Sequence, residues 1–269
     1  MDAARGRRPE AVVAQRVTAH VAALCRPGTP VSDWWTYRPP DLLLFPARTY
    51  YRLFEIHNAA LWPAQAAAFG LSVVLLWLAW QGGRGAARGA LAIVAAGWLC
   101  SAGPYFWVRY ATINSAAVWF AAAFAIEAAL LLSLASSRAC PALQTDAPSG
   151  RLIARRAVGA VLVLAGIAYP AAAPLLGRPW TQAEVFGLAP DPTAIGTLGV
   201  LLLLEPGRER RLPGWLRAAW LGALWTLPVV WCLITGMTLW TLHATGAIIA
   251  PATAALALLA TRLREPRAS

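Results

Sequence analysis

The residues of this chain that could do chemistry are few, and they sit in apolar surroundings. In Phe186-Gly187-Leu188-Ala189-Pro190-Asp191-Pro192-Thr193 an acid stands between two prolines, beside the apolar run Ala194–Leu204. Glu184 precedes this motif, Glu127 lies about halfway along a long apolar segment, and Arg109 is near the end of another. A charge at the centre of a bilayer is costly, so such a group faces the bundle interior and either pairs or takes up a proton. Asp191 has two readings. As an N-cap followed by proline it would accept from the free amides of the next turn. As a ligand-coordinating acid it would face one cavity together with Glu127, where a short helix offers its positive end to an anionic group.

Glu127 also divides between a structural acid bonded to a neighbouring helix and a functional one. Arg109 reads as an interfacial residue whose head snorkels towards water. Asn114, just past the following turn, either caps the next helix or bridges to Arg109. Together with Thr193, which closes the proline motif, Asp191, Glu127, Arg109 and Asn114 are the candidate binding residues. No catalytic residue stands out, because no nucleophile and base are paired in a recognisable arrangement.

Metal chemistry finds no pattern either. Cys25, Cys100, Cys140 and Cys232 form no CxxC pair, and His20, His57 and His243 are scattered. No metal site and no cofactor is implied. Cys100 and Cys232 lie in apolar runs and read as small packing residues. His57 falls on the apolar face of a helical segment, where a packed, hydrogen-bonded imidazole is the simpler reading.

The elements that must position these residues are set by composition. Hydrophobic residues make up 59 % of the 269 and charged ones 13 %, against about 25 % charged in a soluble domain. The net charge of +11 comes from arginine alone, and the arginines gather between apolar runs. That is a topology signal, so the partner it indicates is the lipid bilayer and no nucleic acid. Nothing in the sequence names a protein partner or a ligand.

Hydropathy predicts an all-α, polytopic transmembrane bundle of about seven crossings, at roughly 60–80, 89–110, 113–136, 157–177, 183–204, 217–240 and 242–262. Residues 1–31 form an N-terminal extension, read either as a short surface helix or as disorder, and 32–59 an interfacial amphipathic segment. The bundle occupies 60–264, and 265–269 is a tail. Within the amphipathic segment Tyr50, Leu53, Phe54, His57 and Leu61 share one face, with Arg48, Arg52 and Glu55 opposite, as for a helix in the headgroup plane. Ala194–Leu204 is too short to cross alone, since a span needs roughly 20 residues. The 183–204 segment is therefore read as a broken helix, its polar backbone sheltered by protein or a water-filled cavity.

Ser137–Arg156 reads as a true loop, with Pro141, Pro148, Ser149 and Gly150. Gly103-Pro104, Pro170, Pro174, Pro228 and Pro251 read as bends in the bundle. Gly97 and Ser101 make a small-xxx-small pair that permits close helix approach. Thirteen arginines fall in the connections near 84–88, 138–156 and 208–217 and in the C-terminal tail, against two in the alternate connections. This asymmetry predicts a cytoplasmic C-terminus and an external N-terminus. The eight arginines before the first span run against it.

Trp34-Trp35-Thr36-Tyr37, Phe45-Pro46-Ala47-Arg48-Thr49-Tyr50-Tyr51-Arg52-Leu53-Phe54-Glu55 and Asn58-Ala59-Ala60-Leu61-Trp62-Pro63-Ala64-Gln65 resemble the start of a family of bacterial multi-pass membrane proteins. That family is known only as a domain of unknown function. Ile113-Asn114, the 186–193 motif and Thr197-Leu198-Gly199 are similar to its later patterns, so the likeness covers about 33–262. It implies an uncharacterised protein of the bacterial cytoplasmic (inner) membrane and assigns no activity. Many members carry Cys-Pro where this chain has Asp191-Pro192, so the resemblance does not imply an acid there.

Two functions follow as expectations. One is a protein that binds or transports a small molecule or lipid at a cavity by the broken helix. The other is a non-catalytic structural or assembly partner in the membrane. The first predicts a water-accessible pocket lined by Asp191 and Glu127, the second that both acids are paired and dry.

Overall fold

The structure, a computed structural model, describes residues 45–144, 149–205 and 214–263, with side chains in the last stretch from 222 onward. The N-terminal extension, Trp34-Trp35, Tyr37, Arg208, Arg210, Arg211 and the C-terminal tail lie outside the described residues. Among the described residues eight α-helices of 13 or more residues carry the fold: α1 Ala47–Leu61, α2 Ala64–Gln81, α3 Gly83–Cys100, α4 Ala117–Ser136, α5 Gly150–Ala168, α6 Pro190–Leu203, α7 Gly214–Thr241 and α8 Ile249–Thr261. Each of the seven apolar segments expected from hydropathy overlaps one of α2–α8. Five of the described segments are long and apolar enough to cross a membrane: Ala64–Gln81, Gly83–Thr112, Ala117–Ser136, Gly150–Leu175 and Gly222–Thr241. The helices α6 and α8 are apolar but shorter.

Four helix starts lie six or seven residues from the expectation, at 83 for 89, 150 for 157, 190 for 183 and 249 for 242. The expected broken helix is thus helical only from Pro190 onward; the first two shifts have a local reason. The second apolar helix begins at Gly83 because Gly82 and Gly83, at φ 66° and 81°, turn the chain through left-handed backbone directly after α2. α5 begins inside the expected 137–156 loop. Ser149 is its N-cap, its Oγ accepting from the Leu152 amide at 3.4 Å. Arg151, Arg155 and Arg156 therefore sit on the helix rather than in a loop.

The prolines do more than bend helices. Pro104 cannot donate to the preceding turn, and Ser101–Trp107 winds as a π-helix continuing α3. Pro170 lies in a 3₁₀ turn, Tyr169–Ala171, followed by a single α-turn, Ala172–Leu175.

The centre of the bundle is α6, all fourteen of whose residues are buried. At 1.5 Å per residue it is about 21 Å long, against roughly 30 Å for a hydrocarbon core. Its backbone touches that of α5 through glycines: a Cβ on Gly199 would lie 2.6 Å from the Val163 nitrogen and 2.7 Å from the Gly159 oxygen. Gly97 of α3 likewise admits the Gly187 Cα, which would stand 2.9 Å from a Cβ there. The small residue expected to bring helices together does so, admitting Thr193 of α6 as well as the loop before it.

A helix so enclosed must satisfy its own ends. At the N-terminus Pro190 and Pro192 have no amide to satisfy, and Ala189 donates to the Val185 oxygen at 2.9 Å. At the C-terminus three carbonyls find donors outside the regular helix ladder. Leu204 N donates to Val200 O, Gln144 N to Leu203 O at 3.0 Å, and the buried Arg155 to Leu204 O at 3.2 Å. A cation at that end also complements the helix dipole.

The two ends of the bundle differ in chemistry. Where α6 ends, Gly83 bridges to Leu143 and Leu143 to Leu204, and Arg88 donates to the Ser137 oxygen. Arg84, Arg138, Arg151 and Arg156 lie on the same connections and helix ends. At the opposite helix ends stand the exposed tryptophans Trp62, Trp107, Trp119, Trp180 and Trp240, while Trp77 and Trp80 are exposed at the arginine-rich end. Exposed tryptophans at helix ends are interfacial anchors in membrane proteins, and they occur at both interfaces.

Candidate functional site

α1 buries the face expected from its periodicity: Tyr50, Leu53, Phe54 and His57 are inside, while Arg48 and Arg52 are exposed. It covers an aromatic cluster built by the π-turn. Phe54 stacks on Tyr105 at 5.0 Å, Tyr105 on Tyr110 at 5.9 Å, and His57 meets Tyr105 edge-on at 5.4 Å. His57 Nε2 lies 3.0 Å from the Leu188 carbonyl, so α1 is hydrogen-bonded to the loop that leads into α6. Asn58 reinforces that seam, donating to the carbonyls of Thr181 and Ala183. His57 is thus a packed, bonded imidazole.

Beside the cluster is a partly open cavity of about 160 Å³. Its polar lining comes from Tyr50, Tyr105, Tyr110, Asn114, Thr235 and Thr238; its apolar walls include Phe106, Phe120 and Trp231. Phe106, Phe120 and Phe124 pack against Trp231 at 5.0–5.5 Å, which holds the indole in place.

Asp191 stands behind that wall. It is 1 % exposed, and its Oδ1 accepts from Trp231 Nε1 at 2.8 Å and from Thr235 Oγ1 at 2.7 Å. Both donors are on α7 and both line the cavity. The carboxylate does not cap α6: the N-cap is Ala189, which has no side-chain bond, and Asp191 occupies the second helical position. Its other oxygen, Oδ2, has no donor among the described residues. The carboxyl of Glu184, itself 4 % exposed, lies near enough to interact with it electrostatically, and Arg178 approaches Glu184 Oε1 at 3.4 Å. Arg178 also lies over the Tyr51 ring, 4.1 Å from its centroid.

The other expected site residues fall in separate places. Asn114 lines the cavity, and its Oδ1 accepts from Ala116 N at 2.9 Å in the turn ahead of α4, whose N-cap is Ala116 with no side-chain bond, so Asn114 is not the helix cap. Thr193 is used within the loop: its Oγ1 donates to Ala189 O at 2.7 Å and accepts from Gly187 N at 3.0 Å. Arg109 is half-buried at the turn between the π-helix and α4, where its carbonyl accepts from Thr112. Glu127 is fully buried on α4, near Phe124, Ala128 and Leu131 of the same helix, and neither of its carboxyl oxygens has a partner among the described residues. It does not line the cavity, and neither does Asp191.

Sequence reasoning found Asp191, Asn114 and the Tyr50 face of α1 but missed the residues that join them. Trp231 and Thr235 are one helical turn apart on α7, a spacing that puts them on one face. Nothing local says that this face meets Asp191, 40 residues earlier. Tyr105 is placed by the π-turn at Pro104 and Tyr110 by the short 3₁₀ turn after it, irregular backbone that no α-helical period would align.

The fold and this site define an all-helical protein with several helices fit to span a membrane and a small aromatic cavity at one end. Residues 47–269 match the model of a family described as a family of unknown function (DUF6064), and the chain belongs to that family. Comparison with curated proteins and with solved structures found no match.

Proposed function

We propose that this protein binds a small, uncharged, amphipathic molecule in the aromatic cavity and presents or passes it within the membrane. The observation that carries the reading is the lining, where aromatic rings and the polar groups of three tyrosines, two threonines and an asparagine converge on one concave site. A cavity near 150 Å³ takes up a single benzene ring, and sites for larger ligands run to about 300 Å³ and above. The ligand is therefore one ring or a short chain with a hydroxyl or carbonyl. Among the described residues no charged side chain lines the cavity, which argues against an anion or cation as the occupant.

In this reading the bundle lies in a bacterial cytoplasmic membrane, arginine-rich end inward, with seven crossings, an external N-terminus and a cytoplasmic C-terminus. The lipid bilayer is its partner, and α1 lies along the external interface. The support is the arginine asymmetry and the tryptophans at the opposite helix ends.

The test is a titration of the purified full chain in lipid nanodiscs with benzyl alcohol, with empty nanodiscs as the blank and Thr238→Leu to fill the cavity. Saturable binding that Thr238→Leu removes supports the reading; the same uptake in both proteins and in the blank overturns it.

One observation favours a second reading, a structural or assembly partner in the membrane. Glu127 and Asp191 are both buried, and Asp191 is held by this chain's own donors. A scaffold of this kind binds nothing in the cavity, and the same titration separates the two.

A further inference from the structure

Two neighbouring buried acids each keep one carboxyl oxygen with no donor among the described residues: Oδ2 of Asp191 and Oε2 of Glu184. The other oxygen of each is met. Asp191 Oδ1 takes two donors from α7, and Glu184 Oε1 takes Arg178. An ionised carboxylate only accepts hydrogen bonds, so the unpartnered oxygens of two interacting acids are satisfied when one carries a proton and donates it to the other. Two like charges close together in a buried site do not both persist without compensation. Arg178 supplies one positive charge, which balances one carboxylate and leaves the second to be neutral.

We propose that Glu184 and Asp191 share a single proton and form a proton-binding site linked to the aromatic cavity through Trp231 and Thr235. The link rests on the cavity being the ligand site; the proton does not. Among the described residues that interact electrostatically with the pair, Arg178 is the charged one. The others are Tyr50 and Tyr51 of α1, Tyr105, Tyr110 and Tyr169, and Cys232 of α7. His57 binds the loop at Leu188 and does not join them.

The coupling has a direction. Thr235 gives its hydroxyl proton to Asp191, so towards the cavity it offers an oxygen that accepts. When the pair releases its proton to solvent, Asp191 becomes a full carboxylate and draws more strongly on the Thr235 hydroxyl. Hydrogen bonds in a chain polarise one another, so the Thr235 oxygen becomes a better acceptor for a ligand hydroxyl. By linkage, a bound alcohol favours release of the proton.

Infrared difference spectra of the full chain in nanodiscs, wild type minus Glu184→Gln and wild type minus Asp191→Asn at neutral pH, test the shared proton. Any band from Glu127 is common to all three proteins and cancels. Glu184→Gln keeps a donor for Asp191 Oδ2 and is the variant expected to fold even where Asp191→Asn does not. The proposal expects each folded variant to lose one protonated-carboxyl band and no carboxylate band, since the remaining acid is ionised against Arg178. Loss of a carboxylate band in Glu184→Gln overturns it, because both acids are then ionised in wild type or the proton belongs to Asp191 alone. A wild-type protonated band that appears only when sodium is withdrawn also overturns it, since a cation would then fill the gap.

Benzyl alcohol affinity reads the link. In wild type it should rise about 5-fold from neutral to alkaline pH, and in Glu184→Gln it should not change. A binding constant independent of pH in wild type overturns the link. Absence of binding at every pH overturns the cavity reading and the link with it, while the infrared band still decides the proton.

Discussion

Trp231 Nε1 stands 2.8 Å from Asp191 Oδ1, and that bond ties the first turn of the enclosed helix α6 to the wall of the aromatic cavity. Thr235, one turn further along α7, donates to the same oxygen at 2.7 Å. A two-donor clamp on a buried carboxylate fixes how α6 and α7 meet.

Replacing Asp191 separates its two tasks. Asn keeps an oxygen for Trp231 and Thr235, whereas Ala leaves both donors buried and unmet, at about 1–3 kcal/mol for each. Thermal unfolding of the detergent-solubilised chain should rank wild type above Asp191→Asn and Asp191→Asn well above Asp191→Ala. Equal midpoints for Asn and Ala would show that the clamp contributes nothing.

The contact between α5 and α6 makes a second expectation. A methyl at Gly199 would meet the Val163 nitrogen at 2.6 Å and the Gly159 oxygen at 2.7 Å, both backbone atoms that cannot step aside. Gly199→Ala should cost about 1–3 kcal/mol or prevent the protein from accumulating. Gly70→Ala on α2 meets nothing within 4 Å and should be neutral or slightly stabilising, since glycine inside a helix costs roughly 0.5–1 kcal/mol relative to alanine. Folded yield by fluorescence-detected size exclusion distinguishes the two.

His57 gives a pH dependence whose sign is fixed. Burial holds its pKa below the usual value; the Leu188 carbonyl opposes the shift and Arg109 adds to it. The unfolded chain therefore binds the proton more readily, and stability rises with pH across the interval between the two values. Its contribution is complete above the ordinary imidazole pKa of about 6.5 and is lost as pH falls through the lower, folded value. Unfolding midpoints measured over this range should drop towards acid in wild type and drop less in His57→Gln. Identical profiles would remove His57 from the account.

Much of the fold is legible in the sequence. Length and hydropathy pick out seven apolar segments because lipid-facing helices are apolar all round, and each overlaps a helix. The face of α1 is readable from its period, since Tyr50, Phe54 and His57 recur at helical spacing. The motif at 186–193 stands out, but a local reading offers Asp191 only a cap or a ligand. The observed partners on α7 are neither. Trp231 and Thr235 contact it across 40 and 44 residues, a pairing set by how the helices pack. Ser149 shows the converse: a capping serine inside an apparent loop starts α5 early, a local signal masked by the neighbouring prolines.

The position of α6 decides the most. It carries the chain from the end rich in tryptophan to the end rich in arginine, so reporter fusions placed after Trp180 and after Glu205 measure that passage directly. The account predicts that the two report opposite sides of the membrane. Both reporting the same side would contradict it, and with it the orientation and the crossing count.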